Sequence, residues 1–237
     1  MKNFEKNGKG KYIGGEKRTR SFEMDAKDYL KVYLVTDRGL SLGRPIEDVV
    51  EQAIRGGVGV VQLREKECPS LEFYEHALKL KKMLSGSGVP LIINDRLDIA
   101  LAVDADGLHI GQSDLPYPVA RRLFGKDKII GLSTDNYEEL VAANAYDVDY
   151  VAFQAFATTT KLDAAEGLGV EGLRKAASLT RHPLVAIGGI HLSNAESVAA
   201  SGVDGIAVVS EIMSAENPKE AAENLRGAFE AGHARLA

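Results

Sequence analysis

The sequence predicts a single-domain α/β protein folded as a (β/α)8 TIM barrel, on three observations. Short β-rich runs alternate with amphipathic helical stretches from about Lys31 onward, and there are eight such runs. No Pro-, Gly- or Ser-rich linker interrupts the alternation. The chain of 237 residues is close to the roughly 250 that a closed eight-stranded parallel barrel uses. An open, doubly wound sheet is the alternative, but the first turn, TDRGLSLGR, lacks the G-x-G-x-x-G of dinucleotide-binding folds.

Taken in order, residues 1–27 read as a polar N-terminal extension and residues 28–237 as the barrel. The opening MKNFEKNGKGKYIGGEKRTRSF is rich in Lys, Arg, Gly and Asn, lacks the apolar centre of a secretory signal, and is expected to be mobile. Glu5, Glu16 and Glu23 dilute its charge, against a basic arm for nucleic acid. Strand one is VYLVTD from Val32, followed by IEDVVEQAIRGG with apolar residues at helical spacing. Strand two is VGVVQLRE from Val58, followed by the helical LEFYEHALKLKKML. Strands three and four are PLIIND from Pro90 and GLHIG from Gly107, five and six KIIGLS from Lys128 and DYVAFQA from Asp149, and seven and eight PLVAIGG from Pro183 and GIAVVS from Gly205. Gly56, Gly125 and Gly202 are expected at helix C-termini. DAD, DVD and GVD turns at strand N-terminal ends read as solvated connections.

Composition narrows the function. A chain that is 45% hydrophobic and 27% charged is too apolar for disorder. A net charge of -5 argues against nucleic acid as the main partner. The single cysteine, Cys68, excludes an internal disulfide and a cysteine metal cluster and points to a reducing cytoplasm. No apolar run reaches the roughly 20 residues of a membrane span. Small-molecule partners are expected, and a homo-oligomer remains compatible with the sequence.

In a barrel the active site stands at the C-terminal ends of the strands. Gln62, Arg64 and Lys66 alternate there, so an extended chain aims all three one way. Asp95 and Asp114 follow the neighbouring strands three and four, where two carboxylates and substrate oxygens could hold Mg²⁺; each could also serve as a cap or turn residue. Arg64, Lys66 and Lys161 supply cations, and Asn94 and Ser133 neutral hydrogen-bonding groups, a set that suits a diphosphate. AIGGI and the later Ser210 suggest a second, backbone-built phosphate site after strands seven and eight. The segment TTTK (158–161) opens a long connection that could close over substrate, or simply be a polar surface loop. His76, His182 and His233 read as solvated, and packing or capping is the simpler role for His109 and His191.

At this point the residues resemble a known family, the thiamine phosphate synthases (thiamine phosphate pyrophosphorylases). YLVTD, VVQLREK, LIINDRLDIALAVDADGLHIGQSDLP, GLST, TTTK, AIGGI and GIAVVS occur in order, from about Tyr33 to Phe229. The resemblance implies a (β/α)8 transferase that condenses 4-amino-5-hydroxymethyl-2-methylpyrimidine diphosphate with a thiazole phosphate, giving thiamine monophosphate and diphosphate. If the thiazole carries a carboxylate, decarboxylation would follow the coupling. By motif, Gln62, Arg64, Lys66, Asn94, Ser133 and Lys161 would bind the pyrimidine diphosphate, with Arg64, Lys66, Lys161 and Ser133 acting in catalysis. Asp95 and Asp114 would hold Mg²⁺, and Thr158, Thr160, Gly189, Val209 and Ser210 the thiazole phosphate.

Two departures stand out. Where the family usually has a Gly-Pro after strand six, this chain has Gln154 and Ala155, which leaves the geometry before Thr158 open. Where a His often follows GLST, here it is Asp135, which argues against the related thiazole tautomerases.

Overall fold

A computed structural model describes residues 26–156 and 168–236. The expectation of a mobile N-terminal extension therefore lies outside the described residues, apart from α1 (Ala26–Tyr29), which straddles its expected boundary.

All eight expected strands form, as β1 (Val32–Val35), β2 (Val60–Leu63), β3 (Leu91–Asn94), β4 (Gly107–Ile110), β5 (Ile129–Thr134), β6 (Tyr150–Gln154), β7 (Leu184–Ile187) and β8 (Gly205–Val208). They pair in parallel in sequence order, and β8 returns to β1 to close the barrel. Between them run α2 (Ile46–Arg55), α3 (Ser70–Leu84), α4 (Leu97–Ala102), α5 (Tyr117–Phe124), α6 (Tyr137–Ala143), α7 (Gly169–Leu179), α8 (Leu192–Ala199), the short α9 (Ser210–Met213) and α10 (Pro218–His233).

The helices form where the sequence repeats apolar residues every three to four positions. In α2, Ile46, Val49, Val50 and Ala53 are buried; in α10, Ala222, Leu225 and Phe229 are, and this last helix packs on α2 and α8 to complete the outer ring. Each large side chain so buried contributes about 2 kcal/mol of hydrophobic stabilisation. A second apolar cluster fills the inside of the barrel: Tyr33, Val35, Val60, Ile92, Ile129, Tyr150, Ala152, Val185 and Ala207, with Tyr29 and Leu30 from the chain entering at the bottom. These inward positions alternate with outward ones that face the helices, as strand geometry requires.

Three details bear on the sequence reading. β2 stops at Leu63, so Arg64 and Lys66 sit on the loop beyond it, and strand alternation does not govern their direction. Gly56 and Gly125 are the C-caps of α2 and α5, as expected, and Gly202 follows the end of α8; Gly125 and Gly202 take positive φ, whereas after α2 it is the neighbouring Gly57 that does, at 98°. Gln154 and Ala155 form no tight turn: the Ala155 N–H donates to the Ile187 carbonyl at 2.8 Å, continuing the β6–β7 ladder.

No helix among the described residues is long and apolar enough to cross a membrane.

Candidate active site

The floor of the C-terminal mouth is a buried polar chain. Gln62 projects into the barrel from β2, and its Nε2 donates to the Tyr33 hydroxyl at 2.7 Å. Tyr33 meets the Tyr150 hydroxyl, also at 2.7 Å, across the barrel axis. Tyr150 lies 3.0 Å from His109 Nδ1, and His109 Nε2 lies 2.8 Å from Ser133 Oγ. The rings support this line: Tyr33 and Tyr150 meet edge-on and His109 stacks on Tyr150. Tyr150 can occupy the axis because β5 offers it Gly131, where an added Cβ would lie 2.1 Å from the tyrosine Cζ. Burial pushes both tyrosine hydroxyls well above their ordinary range and pulls His109 down from 6.5 to about 4, so the imidazole is neutral near pH 7. Asn94, also buried, ends β3 in register with His109.

Above this neutral floor the groups are charged. Lys66 Nζ pairs with Asp95 Oδ2 at 2.8 Å. Asp95 does not cap α4, whose N-cap is Arg96; instead it holds a left-handed backbone at φ 61°, which is uncommon for a non-glycine residue. Asp114 Oδ2 accepts from the Gly111 N–H at 2.7 Å within its own turn. Burial raises the Asp114 carboxyl above its ordinary value, with the neighbouring Asp95 carboxylate adding to the rise while the Gly111 N–H opposes it. The two carboxylates thus stand together, as the sequence suggested. Arg64 hangs at the rim, its NH1 3.9 Å from Asp37 Oδ2, and its backbone N–H donates to Thr36 Oγ1.

Next to the rim, Arg38 binds Glu65 through Nε and NH2 and also pairs with Glu72, which ties the loop after β1 to the loop after β2. Glu65 is therefore a buried ion-pair partner of Arg38 and supports the loop that presents Arg64 and Lys66. His76 belongs to the same cluster, facing Glu47 and Glu72, and is not simply solvated. His182 is likewise half-buried, with Nε2 3.2 Å from the Ala143 carbonyl, while His233 stacks on Phe229 and His191 caps α8. Burial and the flanking Glu65 and Glu72 push the Cys68 thiol up, away from reactivity.

On the far side of the mouth, Gly188 and Gly189 both take positive φ, at 92° and 60°, and Val209 and Ser210 lead from β8 into α9. The Leu192 N–H donates to Glu211 Oε1 at 2.9 Å, joining the first turns of α8 and α9. Thr158, Thr160 and Lys161 lie outside the described residues.

The structure therefore groups Gln62 and Ser133 through the floor, and Lys66, Asp95 and Asp114 at the rim. Tyr33 and Tyr150 are not singled out in the sequence reading, and for His109 packing or capping is the simpler role there, although a place at the site is open to it. A signal existed: His109 and Tyr150 sit in the same inward-facing layers as Asn94 and Gly131.

A family model described as thiamine monophosphate synthase matches residues 32–212. A thiamine-phosphate synthase of Syntrophomonas wolfei is 51% identical over 204 residues, spanning 86% of this chain and 97% of that protein. One from Leptospira biflexa is 51% identical over 203 residues, spanning 84% and 97%. Among solved structures, a thiamine phosphate pyrophosphorylase from Pyrococcus furiosus superposes with a TM-score of 0.79 at 39% identity, over 87% of this chain and 98% of that one.

Proposed function

The chain belongs to the thiamine monophosphate synthase family, and from that premise we propose that its barrel mouth joins 4-amino-5-hydroxymethyl-2-methylpyrimidine diphosphate to a thiazole phosphate. It is a transferase whose products are thiamine monophosphate and diphosphate. The observation that carries the division of labour is the layering of the mouth, with neutral hydrogen-bonding groups on the floor and charged ones at the rim.

Gln62, Asn94 and Ser133 face the pyrimidine ring, and Arg64 and Lys66, with Lys161, face the diphosphate. The bond from the methylene carbon to the diphosphate oxygen breaks, and its electron pair leaves with the diphosphate. The ring's amino group feeds electron density to the methylene cation. The thiazole nitrogen then uses its lone pair to form the new C–N bond. Such a path needs cations placed where negative charge develops and two substrates held in line, and it needs no side-chain nucleophile.

Asp95 and Asp114 fit Mg²⁺ as hard oxygen donors brought together by adjacent strand ends. Among the described residues no group of three His, Cys, Asp or Glu could hold a metal by itself, so its other ligands would be diphosphate oxygens and water, a common Mg²⁺ arrangement. Bound there, Mg²⁺ would supply neutralisation of the departing diphosphate. The thiazole phosphate takes the opposite loops, at Gly189, Val209 and Ser210, and Thr158 and Thr160, which lie outside the described residues, are assigned to it by motif.

Purified protein given both substrates and Mg²⁺ should form thiamine monophosphate and release diphosphate, read by chromatography. Release of diphosphate without the coupled product, or no reaction at all, overturns this reading.

A further inference from the structure

The floor chain has a directional logic that the overall reaction does not demand. Because Gln62 Nε2 faces Tyr33, the Tyr33 oxygen accepts there and must spend its own proton on Tyr150. Tyr150, having accepted, donates to His109 Nδ1. A neutral imidazole that accepts at Nδ1 carries its proton on Nε2, so it donates to Ser133 Oγ. A cationic His109 breaks this order: it would donate to Tyr150 as well, and the Tyr33 oxygen would then receive two protons with nowhere to send its own. At the two ends, Gln62 is left with Oε1 to accept and Ser133 with its hydroxyl proton to donate.

We propose that Tyr33, Tyr150 and His109 are positioning residues that lock Gln62 as acceptor and Ser133 as donor toward the substrate, so that the pocket selects a 4-aminopyrimidine over its 4-oxo counterpart. This deepens, and rests on, the reading that Gln62 and Ser133 hold the pyrimidine ring. An aminopyrimidine offers an exocyclic N–H to Gln62 Oε1 and a ring nitrogen lone pair to Ser133. An oxopyrimidine puts a carbonyl oxygen against Gln62 Oε1, so two acceptors meet in a buried site. Turning the Gln62 amide to relieve that contact reverses Tyr33, Tyr150, the His109 tautomer and Ser133 together, because each group's role is set by its neighbour. Polar groups left mismatched in a pocket built to pair them are what give large discrimination.

The preference is one of ring recognition, so binding is the clean readout. Calorimetry with the unreactive 4-amino-5-hydroxymethyl-2-methylpyrimidine monophosphate and its 4-oxo analogue measures the preference without turnover. Wild type should favour the amino ligand by roughly 100-fold. Tyr150→Phe cuts the chain in the middle and frees the Gln62 amide to turn, so the preference should fall at least several-fold; Tyr33→Phe does the same nearer Gln62 and serves if the first variant does not fold. A merely structural tyrosine would weaken both ligands alike. An unchanged amino-to-oxo ratio in a folded Tyr variant overturns the proposal while leaving the ring-binding reading intact. If Gln62→Ala and Ser133→Ala leave amino-ligand affinity unchanged, the ring-binding reading itself falls, and this proposal with it.

Discussion

The two ends of the barrel use the same residue type in opposite ways. At the bottom, Asp106, Asp149 and Asp204 precede β4, β6 and β8. Each carboxylate accepts a backbone N–H at the start of the preceding strand, from Leu91 at 3.0 Å, Ile130 at 2.7 Å and Leu184 at 2.9 Å. Each of these aspartates also donates its own N–H to the carbonyl of that same residue, closing a small ring between strands. Each is neutralised by a cation: Lys81 at 2.6 Å, Arg121 at 2.7 Å and Lys27 at 3.0 Å. At the top, Asp95 and Asp114 crowd each other, one on a left-handed backbone and one with its carboxyl raised. Bottom carboxylates serve the strands, and top carboxylates keep acceptor capacity for something else, which is how a fold separates stability from chemistry.

The largest expected effect breaks the comparison at the top. Asp95→Asn keeps the size and the tolerance for a left-handed backbone but removes the charge. The rate of thiamine monophosphate formation should fall by about two to three orders of magnitude, with unfolding free energy changed by no more than about 0.5 kcal/mol. A variant with near wild-type turnover would remove Asp95 from the charged half of the site.

Asp149→Asn is the counterpart at the bottom. Its carboxylate is almost fully buried against Arg121, and losing one partner of a buried pair costs on the order of 3 kcal/mol. Urea unfolding should show that loss, and turnover per folded molecule should stay within about twofold of wild type. A loss below about 1 kcal/mol would mean that Arg121 is adequately satisfied without it.

His109 stands between the two ends and gives a pH test. Its folded-state value is depressed from 6.5 to about 4, so between these values the unfolded chain binds the extra proton. Stability from this group is complete above pH 6.5 and is lost as pH falls toward 4, by roughly 3 kcal/mol in all. Carboxylates titrate in the same window, so the measurement is the difference between wild type and His109→Asn. Equal pH slopes for the two proteins would show that His109 is not held neutral.

How much of this was legible in the sequence follows the same division. The eight strands could be read because alternation and length are local properties, and the top residues because their types are costly to place without a use. The bottom aspartates look like solvated connections when read locally: nothing in DAD, DVD or GVD says that the carboxylate will find a backbone N–H from a strand 15 to 20 residues earlier. Tyr33 and Tyr150 hid inside apolar runs, since a tyrosine in a strand reads as packing until the residue across the barrel is known. The reading of Lys66 by strand parity failed because β2 ends at Leu63; what fixes Lys66 is Asp95, a contact between two loops.

That contact also sharpens the contrast with the smallest of the expected effects. Lys66 against Asp95 resembles Lys81 against Asp106 at the bottom, but Lys66 is half-exposed and lies beside a second carboxylate, so its pairing is weak and exchangeable. If Asp95 and Asp114 receive the metal together with the diphosphate, Lys66 is the cation that holds the site until then and moves onto the diphosphate when it arrives. Removing it should make the empty pair of carboxylates a better metal site and a poorer diphosphate site. Lys66→Met should bind Mn²⁺ alone several-fold more tightly than wild type, by paramagnetic resonance of the free ion, a change of about 1 kcal/mol or less. The same variant should bind the pyrimidine diphosphate more weakly. If Mn²⁺ affinity is unchanged or falls, Lys66 does not compete with the metal, and its pairing with Asp95 is structural in the manner of the bottom of the barrel.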